Sequence, residues 1–477
     1  MLRWANVLYL RGMNILARRR RTCMRKKRLL ILGMSMALAF GSGITANAAA
    51  GWAMENGKWV YYDNSGYMVV NEWKKGADDK WRYLNSNGQM AVDCWVDETY
   101  YVDSNGIMVA GGWMNLASNY SGPTEGDHWY YFLDSGKAVM NAWKKINEKW
   151  YHFDWDGAME TGWMDGNMYF ANDDGAALVG WHKLYPPEED AEEQDPFQDD
   201  ERRWYYFSSS GKKFVPDLTG DARCGEKRID GNYYCFNSHG AMQTGWAYLG
   251  GGNSSSGIDG YRFYDSSGKA VTGWYSAYPP SELGGYDDEV EWFYFSKSGV
   301  PKVGPARGTA TTKDFLKING KTYLFNELGN PVTGLQKVYT NESADEYTYY
   351  YFDENSCAVM SGKMTIEESD GNRCPYYFSA SGKGFTGVQG GCLYYRGKQQ
   401  YSESDTKYEI ITIPGENGKN TNYLVNEAGK VVKSSSGVKD ADGIKYSTNS
   451  NGVLTKIDGV AIDAGATFRQ PREPIWE

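Results

Sequence analysis

Short runs of alternating aromatic and polar residues recur along the chain, and each run leads into a polar turn that contains glycine. Residues 59–68 read WVYYDNSGYM, and the pattern returns as WRYLNSNGQM at 81–90 and as WYHFDWDGAM at 150–159. Strand alternation places the first and third residues of a run on one face and the second and fourth on the other. The glycine supplies the positive φ that most residues resist in a tight turn. Each repeat is therefore predicted to be a β-hairpin in which the aromatic run is the first strand, the glycine turn follows, and a short second strand ends in Gly-Trp.

The repeats extend along the chain from about residue 51 to about residue 460. Fourteen turn glycines anchor them: Gly66, Gly88, Gly106, Gly136, Gly157, Gly175, Gly211, Gly240, Gly268, Gly299, Gly329, Gly382, Gly429 and Gly452. A fifteenth repeat has Ser356 at the glycine position. Both faces of the hairpins are aromatic, so both need cover, which stacked hairpins provide and a lone hairpin does not. The sequence predicts an all-β fold, an elongated solenoid of stacked β-hairpin repeats.

Fifteen of the 18 tryptophans occupy two positions of the repeat. The closing tryptophans, at the Gly-Trp position, are Trp52, Trp73, Trp95, Trp113, Trp143, Trp163, Trp181, Trp246 and Trp274. The opening tryptophans, first in an aromatic run, are Trp59, Trp81, Trp129, Trp150, Trp204 and Trp292. A methionine often follows the turn glycine by two residues, as at Met68, Met90, Met108, Met159 and Met242.

This use of tryptophan and tyrosine points to pockets with aromatic walls. Leu, Ile or Val would fill a core with better-defined rotamers. Aromatic faces attract a quaternary ammonium through cation–π interaction, and they also stack on sugar rings. The alternative is that these aromatic residues only hold small hairpins together.

The arrangement resembles the cell-wall-binding repeat, also called the choline-binding repeat, of Gram-positive surface proteins. The resemblance implies that choline of teichoic acid sits between successive hairpins in a cage of aromatic residues, often with a methionine. The expected ligand-binding residues are Trp52, Trp59, Tyr83 and Met90 in a first cage, Trp73, Trp81, Tyr101 and Met108 in a second, and Trp113, Trp129, Trp143, Trp150, Trp163, Trp246 and Trp274 in later ones. The resemblance also pairs Trp113 with Tyr151 or His152, and Trp143 with Phe170.

Four regions are expected along the chain. Residues 1–48 read as a signal peptide, with a basic segment at 25–28, twelve apolar residues at 29–40 and a small-residue cleavage site at 46–48, and Met24 is an alternative start. Twelve apolar residues fall short of the ~20 that a membrane-spanning helix needs. Residues 49–300 hold the Trp-rich repeats. Residues 301–460 are degenerate, Trp-poor repeats that resemble those of glucosylating toxins and glucan-binding enzymes, and residues 461–477 are a tail.

Composition and charge narrow the function classes. The chain has 38 Tyr, 18 Trp, 17 Phe and 57 Gly, too aromatic for a disordered protein. Ten of the 50 Lys and Arg lie in residues 1–50, which hold no acid, so residues 51–477 carry 40 bases against 60 acids, a net charge of −20. Nucleic acid is therefore not an expected partner. The four histidines form no metal-binding spacing, so no catalytic residue, metal or cofactor is predicted.

Two further features stay outside the repeat pattern. Six cysteines remain after residue 50 without zinc-type spacing, and buried free thiols are expected, although a Cys224–Cys235 bridge is conceivable. Two loops begin with the same motif, at residues 185–187 and 278–280, both Tyr-Pro-Pro. The first continues into residues 188–201, where nine of fourteen residues are acidic, and it is predicted to be a solvated loop.

The sequence as a whole predicts a secreted, non-catalytic protein at the cell wall or cell surface. It would attach noncovalently to choline-substituted teichoic acid through aromatic cages between hairpins. One alternative is a lectin-like module that binds wall or host oligosaccharide by aromatic stacking. Another is a surface scaffold for a protein partner.

Overall fold

The structure is a computed structural model, and it describes residues 50–117, 127–187, 202–285, 289–340, 346–415, 419–463 and 465–476. Within these ranges the regular structure is β-strand, apart from two short 3₁₀ turns at Ile258–Gly260 and Thr312–Asp314. The predicted all-β class is confirmed. The signal peptide expected at 1–48 and the acidic residues 188–201 lie outside the described residues.

The strands follow one another closely along the chain. The first eighteen are β1 (Gly51–Glu55), β2 (Lys58–Tyr62), β3 (Glu72–Lys75), β4 (Trp81–Leu84), β5 (Cys94–Val96), β6 (Tyr100–Val102), β7 (Gly112–Ala117), β8 (Asp127–Phe132), β9 (Ala142–Ile146), β10 (Lys149–Phe153), β11 (Gly162–Met164), β12 (Tyr169–Ala171), β13 (Gly180–Leu184), β14 (Arg203–Phe207), β15 (Cys224–Ile229), β16 (Asn232–Asn237), β17 (Met242–Gln243) and β18 (Gly245–Tyr248). The remainder are β19 (Tyr261–Tyr264), β20 (Gly273–Ala277), β21 (Glu291–Phe295), β22 (Leu316–Ile318), β23 (Lys321–Tyr323), β24 (Gly334–Tyr339), β25 (Tyr347–Phe352), β26 (Gly362–Glu367), β27 (Arg373–Phe378), β28 (Gly387–Gln389), β29 (Cys392–Tyr395), β30 (Lys398–Gln400), β31 (Glu409–Ile413), β32 (Thr421–Val425), β33 (Val438–Lys439), β34 (Lys445–Thr448), β35 (Leu454–Ile457) and β36 (Val460–Ala461).

The described chain divides into two compact units. One holds the residues up to Val96 together with Tyr101–Val109, and the other holds Asp97–Tyr100 and everything from Ala110 onward. Within the described ranges twelve sheets consist of two antiparallel strands each, so the single hairpin is the basic element of both units.

The glycine turn follows the second strand of a hairpin and does not join its two strands, so the predicted order of strands is wrong: the strand at the Gly-Trp position comes first and pairs with the aromatic run after it, as β18 pairs with β19. In most of these turns a polar first residue holds the backbone. In the turn after β19, Asp265 Oδ1 accepts hydrogen bonds from the backbone N–H groups of Ser267 at 2.8 Å and Lys269 at 3.0 Å. Gly268 occupies the left-handed region at φ 80°, as the repeat pattern predicts. The fifteenth repeat differs: its turn is one residue longer, and Cys357 takes the left-handed conformation at φ 54°. The assignment of Ser356 to the glycine position is therefore wrong.

The runs that open with Trp129, Trp204 and Trp292 are buried on one face only, whereas Tyr349, which opens another run, is itself buried. In β21, Phe293 and Phe295, the second and fourth residues of the run, are 0% and 1% exposed. Trp292, the first residue, is 53% exposed, and Tyr294 is half-buried. The expectation that both faces are covered fails at the first position, because the packing of neighbouring hairpins encloses the second and fourth residues and leaves the first at the rim.

Successive hairpins are joined by one recurring backbone hydrogen bond. The residue two after the turn glycine, here called the post-turn residue, donates its N–H to the carbonyl of the run-opening residue in the preceding hairpin. In the first compact unit Met90 donates to Trp59 at 2.7 Å. In the second, the N–H donors and their acceptors include Met159 to Trp129, Ala177 to Trp150, Lys213 to Met168, Ala270 to Tyr233 and Gly384 to Tyr349. Hairpins thus follow in chain order within each unit, and the elongated solenoid shape stays a prediction.

The last part of the chain departs from separate hairpins. Strands β26 to β30 merge into one five-stranded sheet, and β33 to β36 form a four-stranded one. The tail expected at 461–477 packs back onto this region: the Thr412 N–H donates to the Arg469 carbonyl at 2.9 Å, and Trp476 packs against a core cluster that contains Tyr376. The sequence predicted repeats of one type here because it shows the turns but not the pairing between hairpins.

Candidate functional site

Closing tryptophans lie between their own hairpin and the next one. The Trp113 ring is 5.2 Å from Tyr131, its cross-strand partner, and 4.9 Å from Tyr151 of the following hairpin (ring centroids). Trp143 lies 4.9 Å from His152 in its own hairpin and 4.6 Å from Tyr169 in the next. The same double contact recurs at Trp163, Trp181, Trp246 and Trp274. Closing tryptophans therefore staple hairpins together.

Four of the six opening tryptophans are exposed, and Trp59 and Trp150 are half-buried. Trp81, Trp129, Trp204 and Trp292 are 40%, 48%, 38% and 53% exposed. Since the run alternates, an opening tryptophan shares a strand face with the residue that pairs with the closing tryptophan. The exposed rings therefore border the half-buried ones.

The two tryptophans of one hairpin form an open corner. Trp181 and Trp204 have centroids 6.5 Å apart and planes at 82°, and Trp274 and Trp292 have centroids 6.5 Å apart and planes at 79°. A cation in such a corner can face two π-systems, and cation–π attraction acts within about 6 Å of a ring centroid. We call each of these pairs a tryptophan corner.

The post-turn residue of the following hairpin packs beside the closing tryptophan. Met159, whose N–H donates to the Trp129 carbonyl at 2.8 Å, packs in the cluster that contains Trp113 and Tyr131. Met242 packs in the cluster that contains Trp181 and Tyr206. In the first compact unit Met108 donates to the carbonyl of Trp81 at 2.9 Å, so the expected proximity of Met108 to Trp81, like that of Met90 to Trp59, is confirmed for the backbone.

Three aromatic residues expected in cages contact a different tryptophan from the one predicted. Tyr83 lies 5.2 Å from Trp73, Tyr101 lies 5.6 Å from Trp95, and Phe170 lies 5.2 Å from Trp163. The family resemblance predicted contacts with Trp52, Trp73 and Trp143, respectively. Each is the third residue of its run, so it faces the closing tryptophan of its own hairpin, whereas the second and fourth residues face the preceding one. Of the two alternatives for Trp113, Tyr151 lies beside it, and Tyr169 rather than Phe170 lies beside Trp143. Ligand binding by the predicted residues stays a prediction.

The corners contain three tryptophans that the predicted site left out. Trp181, Trp204 and Trp292 were assigned repeat positions but no cage. Their positions are the same as those of Trp163 and Trp150, so repeat position alone would have included them.

A larger groove lies beside Trp246 in the second compact unit. It encloses about 660 Å³ and is lined by Trp246, Tyr248 and Tyr275 together with the second Tyr-Pro-Pro loop. The Trp246 indole N–H donates to the Tyr278 carbonyl at 2.7 Å, which ties this loop to the preceding hairpin. The first such loop is tied in the same way, by Trp163 to Tyr185 at 3.0 Å.

Polar groups close one side of this groove. Glu282 accepts a hydrogen bond from the Tyr261 hydroxyl at 2.8 Å and forms an ion pair with Arg223. The Tyr261 hydrogen bond and the Arg223 guanidinium lower the pKa of Glu282, whereas burial and the same hydrogen bond raise the pKa of Tyr261 to about 12. The groove therefore combines aromatic faces with a fixed carboxylate and a guanidinium.

The six cysteines of the described chain are free thiols, so the conceivable Cys224–Cys235 bridge is not formed. Burial raises the pKa of Cys235, which disfavours its thiolate. In the described ranges no cluster of three His, Cys, Asp or Glu side chains is arranged to hold a metal ion. No helix among the described residues is both long and apolar enough to cross a membrane.

Comparison with known families decides the type of repeat. The choline-binding repeat model matches residues 49–95, and the putative cell wall binding repeat model matches residues 124–138 and 141–159. The chain carries choline-binding repeats. The resemblance inferred from the tryptophan pattern is therefore confirmed, and binding at the cell wall is the role associated with repeats of this type.

Several known proteins are similar to parts of this chain. Glucosyltransferase-S of Streptococcus mutans is 28% identical over 238 residues, which cover 50% of this chain and 14% of that protein. Choline binding protein F of Streptococcus pneumoniae is 19% identical, with 66% of this chain and 100% of that one covered and a TM-score of 0.37. The modular autolysin LytC of the same species, solved with a synthetic peptidoglycan ligand, is 23% identical, with 60% and 54% covered and a TM-score of 0.36. The chain thus spans 14% of the glucosyltransferase and 54% of the autolysin, so it matches only part of each of these two proteins.

Proposed function

We propose that this chain is a non-catalytic, secreted wall-binding protein that attaches to choline-substituted teichoic acid through its choline-binding repeats. The tryptophan corners at Trp181/Trp204 and Trp274/Trp292 are the observation that carries the proposal. Each offers two near-perpendicular indole rings, one half-buried and one exposed, with centroids 6.5 Å apart. Such walls suit a trimethylammonium group, which is cationic and too weakly hydrated to need hydrogen-bonding partners.

Repetition and charge support the same ligand. Each corner contributes cation–π contacts of about 0.5–2 kcal/mol, too few for tight binding alone. Several weak sites on one chain gain avidity against a polymer that carries many choline groups. The net charge of −20 over residues 51–477 favours a cationic substituent and disfavours the anionic phosphodiester backbone of the polymer.

A lectin-like role is the second candidate, and the Trp246 groove favours it. The groove presents Tyr248 and Tyr275 beside the charged side chains Arg223 and Glu282, which suits a sugar ring that stacks and also hydrogen-bonds. The acidic residues 188–201, on which a scaffold role would depend, lie outside the described residues.

Retention on a choline-bearing resin tests the proposal. The full chain should be retained, should elute with free choline, and should not elute with isomalto-oligosaccharide. It should also release no soluble sugar from purified walls. Elution by oligosaccharide but not by choline would reject the choline assignment in favour of the lectin one, and sugar release would reject the non-catalytic assignment.

A further inference from the structure

One post-turn residue differs in charge from its counterparts. Thirteen of the fourteen turn glycines are followed two residues later by Met, Ala, Pro, Gly, Val or Leu, but Gly211 is followed by Lys213. Its backbone keeps the usual place, because the Lys213 N–H donates to the carbonyl of Met168 in the preceding hairpin at 2.7 Å. Lys213 therefore delivers an ammonium group to the position where other repeats deliver a thioether or a methyl group.

That ammonium lies against two aromatic faces. Lys213 Nζ is 4.9 Å from the centroid of the Trp163 ring and 5.4 Å from the centroid of the Tyr205 ring, and the residue is only 5% exposed. Both distances fall within the reach of cation–π attraction. The two rings are themselves 5.0 Å apart, so they form adjoining walls around one cation.

The next hairpin repeats the arrangement less completely. Lys227 Nζ lies 4.4 Å from the Phe214 ring and 5.9 Å from the Tyr206 ring, whose hairpin contains Trp181. Lysines of the chain thus occupy aromatic faces in two consecutive hairpins. Lys213 is the stronger case, because it is buried and faces a closing tryptophan.

We propose that the Lys213 ammonium is the resident ligand of the Trp163–Tyr205 site, and that it excludes external quaternary ammonium groups from this one repeat. The inference rests on the proposed function for the other repeats. A tethered cation competes at a high effective concentration, so millimolar choline does not displace it. The sequence-based inclusion of Trp163 among the choline-binding residues would then be wrong, although Trp163 is an aromatic-cage residue.

Choline stoichiometry of the full chain, measured by titration calorimetry, tests the proposal. Lys213→Met installs the residue found in other repeats and should add one choline site. Lys213→Arg keeps a cation and should add none. Lys212→Met is the matched control, since it removes an exposed lysine of the same turn, and it should leave the stoichiometry unchanged.

Trp163→Ala distinguishes a site that the Lys213 ammonium occupies from a site that binds choline. In the wild-type background it should not change the choline stoichiometry, and in the Lys213→Met background it should remove the gained site. A site lost on Trp163→Ala in the wild-type chain, with an unchanged melting profile, would overturn the proposal. So would a folded Lys213→Met variant, with an unchanged melting profile, that gains no site.

Amine reactivity gives a readout that does not depend on choline. Lys213 should react with acetic anhydride more slowly than Lys212, and Trp163→Ala should raise its rate by about 2- to 30-fold, the equivalent of about 0.5–2 kcal/mol of cation–π attraction. If the wild-type chain binds no choline, the proposed function fails, but these rates still decide the Lys213 assignment. Equal rates for Lys212 and Lys213 would overturn it.

Discussion

Neighbouring aromatic residues in a single strand face different surroundings because side chains alternate. Trp292 stands 53% exposed at the rim of a tryptophan corner, and Phe293, next to it, is fully buried. An exposed indole next to a half-buried one stabilises the fold little, but it supplies the second wall that a cation needs. The surface tryptophans are thus the residues whose removal should separate binding from stability.

Substitution of one corner residue tests this separation. Trp292→Ala should weaken choline binding at its corner by about 0.5–2 kcal/mol, from the lost cation–π contact, and should leave the melting temperature nearly unchanged. Calorimetric titration and thermal melting measure the two effects. Trp155→Ala is the control, because Trp155 is 62% exposed but lies outside both tryptophan positions of the repeat. A large loss of stability in Trp292→Ala would show that Trp292 is a structural staple instead.

At the scale of the hairpin, the recurring backbone bond depends on an N–H donor that proline lacks. In the repeat after Trp292 the post-turn residue is Pro331, so this bond cannot form there. The neighbouring Asn330 side chain replaces it, since its Nδ2 donates to the Trp292 carbonyl at 3.3 Å. A side chain thus keeps two hairpins in register where the main chain does not.

Removal of this side chain should loosen the junction. Asn330→Ala should lower the free energy of unfolding by about 0.5–1.5 kcal/mol, the net contribution of one hydrogen bond. Adding Pro331→Ala restores a backbone donor and should recover most of the loss. Urea unfolding of the two variants measures both effects, and equal stability of the single and double variants would show that the Trp292 carbonyl does not need this partner.

The sequence predicts the strands and the turns well but the pairing of strands poorly. The alternation of aromatic residues and the turn glycine located the aromatic strands and the turn at Gly268, but the pairing of Trp113 with Tyr131 was not predicted, because the glycine turn was assigned to the inside of the hairpin. Which residue of the next hairpin contacts a closing tryptophan depends on which face of that hairpin packs against the preceding one. This is why Tyr83 and Phe170 were placed beside the wrong tryptophan. The five-stranded sheet could not be predicted from the sequence for the same reason, because β27 pairs with β30 across an intervening hairpin.

At the scale of the molecule, a buried ion pair ties distant parts of the second compact unit. Glu368 and Lys398 meet at 2.6 Å with side chains 1% and 6% exposed, and the Ile475 N–H also donates to Glu368, at 3.1 Å. The Tyr376 hydroxyl donates to the same carboxylate, and burial together with this bond raises the pKa of Tyr376. One carboxylate thus holds β27, β30 and the tail.

Loss of that carboxylate should be costly because it leaves a buried ammonium without its counter-ion. Glu368→Ala should destabilise the chain by about 3–5 kcal/mol, and Glu368→Ala with Lys398→Met should recover much of this loss. Urea unfolding followed by near-UV circular dichroism measures the change. Glu367→Ala, at the exposed neighbouring position, is the control and should have little effect. A small effect of Glu368→Ala alone would mean that the tail is not held by this group.

The central claim is that the tryptophan corners recognise a quaternary ammonium by its charge. Titration of the full chain, followed by tryptophan fluorescence, tests it most directly with choline and its neutral carbon isostere, 3,3-dimethylbutan-1-ol. The two molecules have nearly the same shape, but only choline gains cation–π attraction. Choline should give a saturable change in the millimolar range and raise the melting temperature, since it binds only the folded chain, and the isostere should give neither. Equal responses to both, or a response only to an oligosaccharide, would contradict the account.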